Sequence, residues 1–132
     1  HFDIQPDNIF ITDRGIALGD FGLSCDTRQN MVTLVTAELY RAPEVYFRRI
    51  YNHKIDLWSV GAMIIFMFTG VHFFEQYANR TNMNNSNDLS IFLSIANKYD
   101  YLAHAKKILR TDVYKMVEPL LQINPNKRRW YV

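Results

Sequence analysis

Long apolar runs are missing from this 132-residue sequence, the longest being Val60 to Phe68. A helix needs roughly 20 apolar residues to cross a bilayer, so this run reads as a buried core helix. Nothing resembling a signal peptide opens the chain. Cysteine is nearly absent as well. The single Cys25 excludes an internal disulfide and suits a reduced, intracellular protein, cytoplasmic or nuclear. The Asn-x-Ser/Thr sequons at Asn79 and Asn84 are accordingly read as accidental. An excess of either charge is also lacking: 15 Lys and Arg against 13 Asp and Glu leave a formal +2. That balance argues against a broad nucleic-acid surface, and the basic clusters Arg48-Arg49 and Lys127-Arg128-Arg129 read as solvated faces. His53, His72 and His104 have no metal-like spacing with Cys25 or with one another, which argues against zinc.

What is present is apolar and aromatic. At 48% hydrophobic and 14% aromatic residues, the chain can bury a core within one domain, and it contains no internal repeat. Ile9-Phe10-Ile11 and Ile16-Ala17-Leu18 flank Thr12-Asp13-Arg14-Gly15, a hairpin signal. From Leu23 to Tyr40 no helical period is visible, as expected of a long functional loop. Asp56 then leads Leu57, Trp58, Val60, Met63, Ile64, Met67 and Phe68, a helix expected to be buried all round and to end at Gly70. Trp58 and the Phe66, Phe68, Phe73 and Phe74 cluster read as core or groove lining rather than a base-stacking platform. Asn79 to Asn87 reads as an exposed loop, after which Asp88 caps a helix bearing Leu89, Ile91, Phe92, Ile95 and Ala96. A last helix, Asp112 to Ile123, carries Val113, Met116, Val117, Leu120 and Leu121 on one side, with Pro119 expected to kink or interrupt it.

The chemistry lies at the start. Asp3 and Asn8 occupy one short loop, His1-Phe2-Asp3-Ile4-Gln5-Pro6-Asp7-Asn8, and Asp20-Phe21-Gly22 follows after the hairpin. A carboxylate can accept a hydroxyl proton, and hard oxygen ligands of this kind suit magnesium bridging nucleotide phosphates. Further landmarks follow in order: Ala42-Pro43-Glu44, Asp56-Leu57-Trp58-Ser59-Val60-Gly61, and Asn124-Pro125-Asn126-Lys127-Arg128. Over essentially the whole chain these motifs resemble the protein kinase family, in its serine/threonine form. The Tyr40-Arg41-Ala42-Pro43-Glu44 run is similar to the branch of cyclin-dependent and mitogen-activated kinases, and the loosened catalytic loop is similar to some virus-encoded kinases.

The resemblance implies a mainly α fold, a kinase C-terminal lobe fragment over residues 1–132 with a small β-hairpin carrying the site loops. The family's glycine-rich loop, strand lysine and helix glutamate precede this stretch, so the N-terminal lobe is expected to be absent from it. Implied cofactors are ATP and magnesium, and the implied partner is a protein substrate; the resemblance allows a regulatory protein partner and calls for neither nucleic acid nor membrane. Asp3 would orient the incoming hydroxyl, Asn8 and Asp20 would hold the metal, and Gln5 would steady the γ-phosphate. Asp56 would accept hydrogen bonds from the backbone of His1 and Phe2, or serve as a plain helix cap, or both. Glu44 and Arg128 would form a buried ion pair, and His1 would be a packed structural histidine.

Three positions depart from the family pattern. Phe2 replaces an arginine that grips an activation-segment phosphate, so phosphorylation at Ser24, Thr27, Thr33 or Thr36 is not expected to control activity. Gln5 replaces a lysine, keeping a donor but losing a charge. Ala37 replaces a threonine that touches the catalytic aspartate; Thr36, one position earlier, takes over only if the loop shifts. Two functions remain open on these grounds. One is ATP-dependent phosphoryl transfer to Ser/Thr hydroxyls within a complete kinase domain, the isolated fragment being inactive. The other is a pseudokinase or truncated decoy that binds another kinase or its substrate, which Phe2, Gln5 and Ala37 favour and Asp3, Asn8 and Asp20 disfavour.

Overall fold

A computed structural model of the chain describes residues 1–26, 35–46, 49–73 and 101–130. The expected Asp88 helix, the Asn79–Asn87 loop, Phe74, Arg48, Thr27 and Thr33 lie outside the described residues. Among those described, the architecture is one two-stranded antiparallel sheet and four α-helices, with short 3-10 turns at the joints.

Strands β1 (Ile9–Thr12) and β2 (Gly15–Leu18) pair in the register Ile9 with Leu18 through Thr12 with Gly15. The turn is closed by Thr12, whose hydroxyl accepts from the Arg14 N–H at 3.2 Å and donates to the Gly15 carbonyl at 2.9 Å. Gly15 sits at φ 116°, a conformation that costs a residue with Cβ dearly. The hairpin stands out from the body: Phe10, Ile11 and Ile16 are exposed, Ile11 at 90%.

Helix α1 (Pro43–Tyr46) is a single turn, and α2 (Lys54–Thr69) is the longest helix among the described residues. Asn52 Oδ1 accepts from the Lys54 N–H at 2.9 Å at the start of α2. Gly70 ends it in the left-handed conformation, its N–H donating to the Phe66 carbonyl at 2.8 Å, as the sequence implied. Ile55, Trp58, Ala62 and Ile65 of α2 are buried in one core with Val45, Phe73, Val117 and Leu121. Burial all round does not hold, however. Met67 and Phe68, on the last turn of α2, are exposed.

Helices α3 (Ala103–Ile108) and α4 (Thr111–Val117) close the core with Leu102, Ala105, Leu109, Val113 and Val117. The expected interruption at Pro119 is a full stop: α4 ends at Val117, and Leu120 and Leu121 enter the core from the turn that follows. Met116, assigned to the apolar side, is exposed instead. Tyr101 ties this end together, donating to the Leu121 carbonyl at 2.7 Å.

The expected ion pair is present and buried. Arg128 donates through Nη1 and Nη2 to Glu44 Oε1 and Oε2 at 2.5 and 2.7 Å. Its remaining donors are satisfied too, Nε by the Gln122 carbonyl at 2.6 Å, and the guanidinium carbon lies 5.2 Å from the Trp58 ring centroid. Lys54 Nζ donates in turn to the Arg128 carbonyl at 2.7 Å. Among the described residues no helix is long and apolar enough to cross a membrane.

Candidate active site

The loop from His1 to Asn8 is fixed from beneath by α2. Both oxygens of Asp56 accept backbone N–H groups, Oδ2 from the His1 nitrogen and Oδ1 from Phe2, each at 2.9 Å. Asp56 therefore anchors the loop; the N-cap residue of α2, His53, makes no side-chain cap, and Asn52 Oδ1 meets the Lys54 N–H beside it. Phe2 is turned into the core, 1% exposed, with its ring edge-on to Tyr51 at 5.4 Å. Its backbone is left-handed, φ 71°, which is costly for a non-glycine residue.

That turn leaves Asp3 half-exposed at the surface with its carboxylate held by two amides. Gln5 Nε2 donates to Asp3 Oδ1 at 2.9 Å, and Asn8 Nδ2 donates to Asp3 Oδ2 at 3.1 Å and to the Asp3 carbonyl at 2.7 Å. Gln5 is thus engaged with the aspartate. Asn8 is buried at the end of a 3-10 turn, Pro6–Asn8, whose proline suits the first helical position.

The hairpin joins the loops that carry Asn8 and Asp20. Its ends are joined by a hydrogen bond from the Gly19 N–H to the Asn8 carbonyl at 2.9 Å, which sets Asp20 one residue from that junction. Asp20 is exposed and left-handed at φ 52°, and its Oδ1 accepts from the Gly22 N–H at 3.2 Å. His1 bridges the same two loops. The Asp3 N–H donates to His1 Nδ1 at 3.1 Å, so Nε2 carries the proton in the neutral ring and donates to the Gly19 carbonyl at 2.8 Å. Phe21 packs edge-on against His1 at 4.9 Å. His1 is thus structural, and its contacts link the two loops that carry the acids.

The donor set suits magnesium held with a nucleotide. Both side-chain hydrogen bonds of Asn8 use Nδ2, so Oδ1 is the atom left for a cation. Among the described residues no group of three or more His, Cys, Asp or Glu could form a closed metal cage. Magnesium characteristically takes one or two protein oxygens and completes its shell with waters and phosphates.

Beside this loop lies a groove of about 520 Å³ with Gln5, Asp7, Ala37, Leu39, Phe66 and His72 among its walls. Phe66 and His72 stack flat at 4.1 Å, and Tyr40 Oη meets His72 Nδ1 at 3.4 Å. Ala37 offers only a methyl here. Thr36 turns its hydroxyl to the Phe2 carbonyl, at 2.6 Å, and not to the Asp3 carboxylate.

A protein kinase domain profile matches residues 1–130. The chain belongs to the protein kinase family. Among similar curated proteins, a kinase named STE20 from Candida glabrata is 32% identical over 97% of the chain and 13% of its own length. A probable serine/threonine-protein kinase, dyrk2 of Dictyostelium discoideum, is 40% identical over 56% of the chain and 8% of its own length. Human dual specificity tyrosine-phosphorylation-regulated kinase 4 is 35% identical over 56% of the chain and 15% of its own length. This kinase chain therefore spans well under a fifth of the relatives it matches.

Sequence reasoning names Asp3, Gln5, Asn8, Asp20 and Asp56, and offers Thr36 as a stand-in at the aspartate only if the loop shifts; the contact it does not reach is that of the Thr36 hydroxyl with the Phe2 carbonyl. Nothing in the one-letter pattern marks a threonine whose backbone is left-handed, φ 72°.

Proposed function

We propose that this chain is the C-terminal lobe part of a kinase domain that transfers the γ-phosphoryl group of ATP to Ser or Thr hydroxyls of proteins. Asp3 accepts the proton of the attacking hydroxyl, whose oxygen bonds to the γ-phosphorus as the bond to the β,γ-bridging oxygen breaks. Asn8 and Asp20 hold magnesium, which when bound neutralises charge on the outer phosphates. Gln5 and Asn8 fix the Asp3 carboxylate so that one orientation is ready before substrate arrives. The groove between Gln5, Leu39 and Phe66 receives the substrate segment beside the hydroxyl. Such a protein works inside the cell, where ATP is abundant.

The observation that carries this reading is the double hold on Asp3, from Gln5 and Asn8, within a loop tied at Asn8 to Gly19 beside Asp20. A docking module has no use for an aspartate oriented this way next to a cation-binding pair.

The test is phosphate incorporation into Ser/Thr peptides by the complete domain, with Asp3→Asn and Asp20→Asn as controls. Asp3→Asn should abolish transfer while retaining magnesium-dependent ATP binding, and Asp20→Asn should lose both. A parent domain that neither transfers phosphate nor binds ATP would instead support the docking or decoy reading.

A further inference from the structure

We infer that Thr36 is a positioning residue for Asp3, acting through the Phe2 carbonyl, an inference that rests on reading Asp3 as the proton acceptor. The peptide unit joining Phe2 to Asp3 is a rigid plane with an acceptor on one side and a donor on the other. Its carbonyl takes the Thr36 hydroxyl at 2.6 Å, and its N–H donates to His1 Nδ1 at 3.1 Å. The plane therefore cannot turn without breaking both bonds. The preceding N–H, that of Phe2, is held by Asp56. Since this plane sets the direction in which Asp3 leaves the backbone, the Thr36 hydroxyl is one of the groups that aim the carboxylate.

Backbone strain on both sides of the bond gives the inference a second, separate footing. Phe2 and Thr36 are non-glycine residues at φ 71° and 72°. For a β-branched residue a positive φ is an outlier, and such strain persists where the surroundings over-determine it, commonly at functional sites. Thr36 is over-determined in this sense: Arg41 donates through Nε and Nη2 to its carbonyl at 3.1 and 2.8 Å, and through Nε to the Val35 carbonyl at 3.0 Å. The register of the loop ending at Arg41 is thereby transmitted to the loop carrying Asp3. Ala37 has no hydroxyl to offer the aspartate, and that of Thr36, one residue earlier, meets a backbone carbonyl of the same loop instead. The same geometry removes Thr36 as a phosphorylation site, since its hydroxyl is buried and engaged.

Single substitutions in the complete kinase domain test this, with steady-state kinetics and thermal melting read together. Thr36→Ala should lower kcat roughly 3- to 10-fold with the KM for ATP unchanged, as expected for one neutral hydrogen bond. Thr36→Ser, which restores the hydroxyl, should return kcat to within about twofold of the parent. Thr36→Gly relieves the left-handed strain, so it should melt at or above Thr36→Ala yet show the same loss of kcat. A kcat for Thr36→Ala and Thr36→Gly equal to that of the parent, or a Thr36→Ser as slow as Thr36→Ala, would overturn the inference. If the parent transfers no phosphate at all, it is the reading of Asp3 that fails.

Discussion

Phe2 and Tyr51 meet edge to face with ring centroids 5.4 Å apart inside the core, so the position before Asp3 is an apolar site with no room for a solvated cation. Phe2→Arg, which puts back the residue the family resemblance leads one to expect, should therefore damage the protein. An unpaired guanidinium here should cost on the order of 4 kcal/mol of stability. Thermal denaturation beside a Phe2→Leu control decides it: an arginine variant melting with the parent would mean the site can open.

Phosphate at Ser24 has no arginine at position 2 to meet, and the Ser24 hydroxyl already donates to the His1 carbonyl at 3.1 Å. Ser24→Glu in the complete domain should leave activity level or lower it. A steep rise in turnover would show that an anionic group there orders the loop through some other cation.

Removing the support under the loop should be felt in both stability and rate. Asp56→Ala strands two backbone N–H groups, at a cost of about 1.5–3 kcal/mol for charge-assisted bonds. Asp56→Asn keeps one acceptor oxygen and should fall between that variant and the parent. Equal melting of all three proteins would show that the loop needs no anchor.

Gly61 of α2 packs directly against the turn after α4. A Cβ there would lie 2.8 Å from Leu121 Cγ and 3.0 Å from Leu120 Cβ. Helix propensity favours alanine by roughly 0.5–1 kcal/mol, but overpacking costs about 1–3, so Gly61→Ala should destabilise overall. Urea denaturation with a raised midpoint would mean that the leucines yield instead.

Arg128→Ala strands the Glu44 carboxylate in the core and should cost about 3–5 kcal/mol. Arg128→Lys keeps the charge but loses the planar fork that reaches both oxygens, so it should recover only part of the loss. A melting curve for Arg128→Ala that overlays the parent's would dismiss the pair as a source of stability.

Much of this was legible in the sequence because the signals were local or carried by spacing. Turn residues between two apolar triplets gave the hairpin, and Gly70 gave the end of α2. Asp56 and Glu44 could be assigned partners dozens of residues away because their motifs stand in the family's order. Helix α3 went unread, although Leu102, Ala105 and Leu109 recur at helical spacing, because six residues are too few to show a period. The exposure of Met67, Phe68 and Met116 was invisible for another reason: apolar character says what a side chain prefers, and only tertiary packing decides whether anything covers it. The left-handed backbones at Phe2, Asp20 and Thr36 run against local preference, so no propensity argument reaches them.

The clasp between Glu44 and Arg128 also imposes an order on biosynthesis. Its two halves are 84 positions apart, and Lys54 reaches the same late segment, so neither contact can form until residue 128 has left the ribosome. Until that moment a glutamate meant for the interior faces water without its cation. A nascent chain stalled anywhere before Arg128 should accordingly be a substrate for chaperones and proteases.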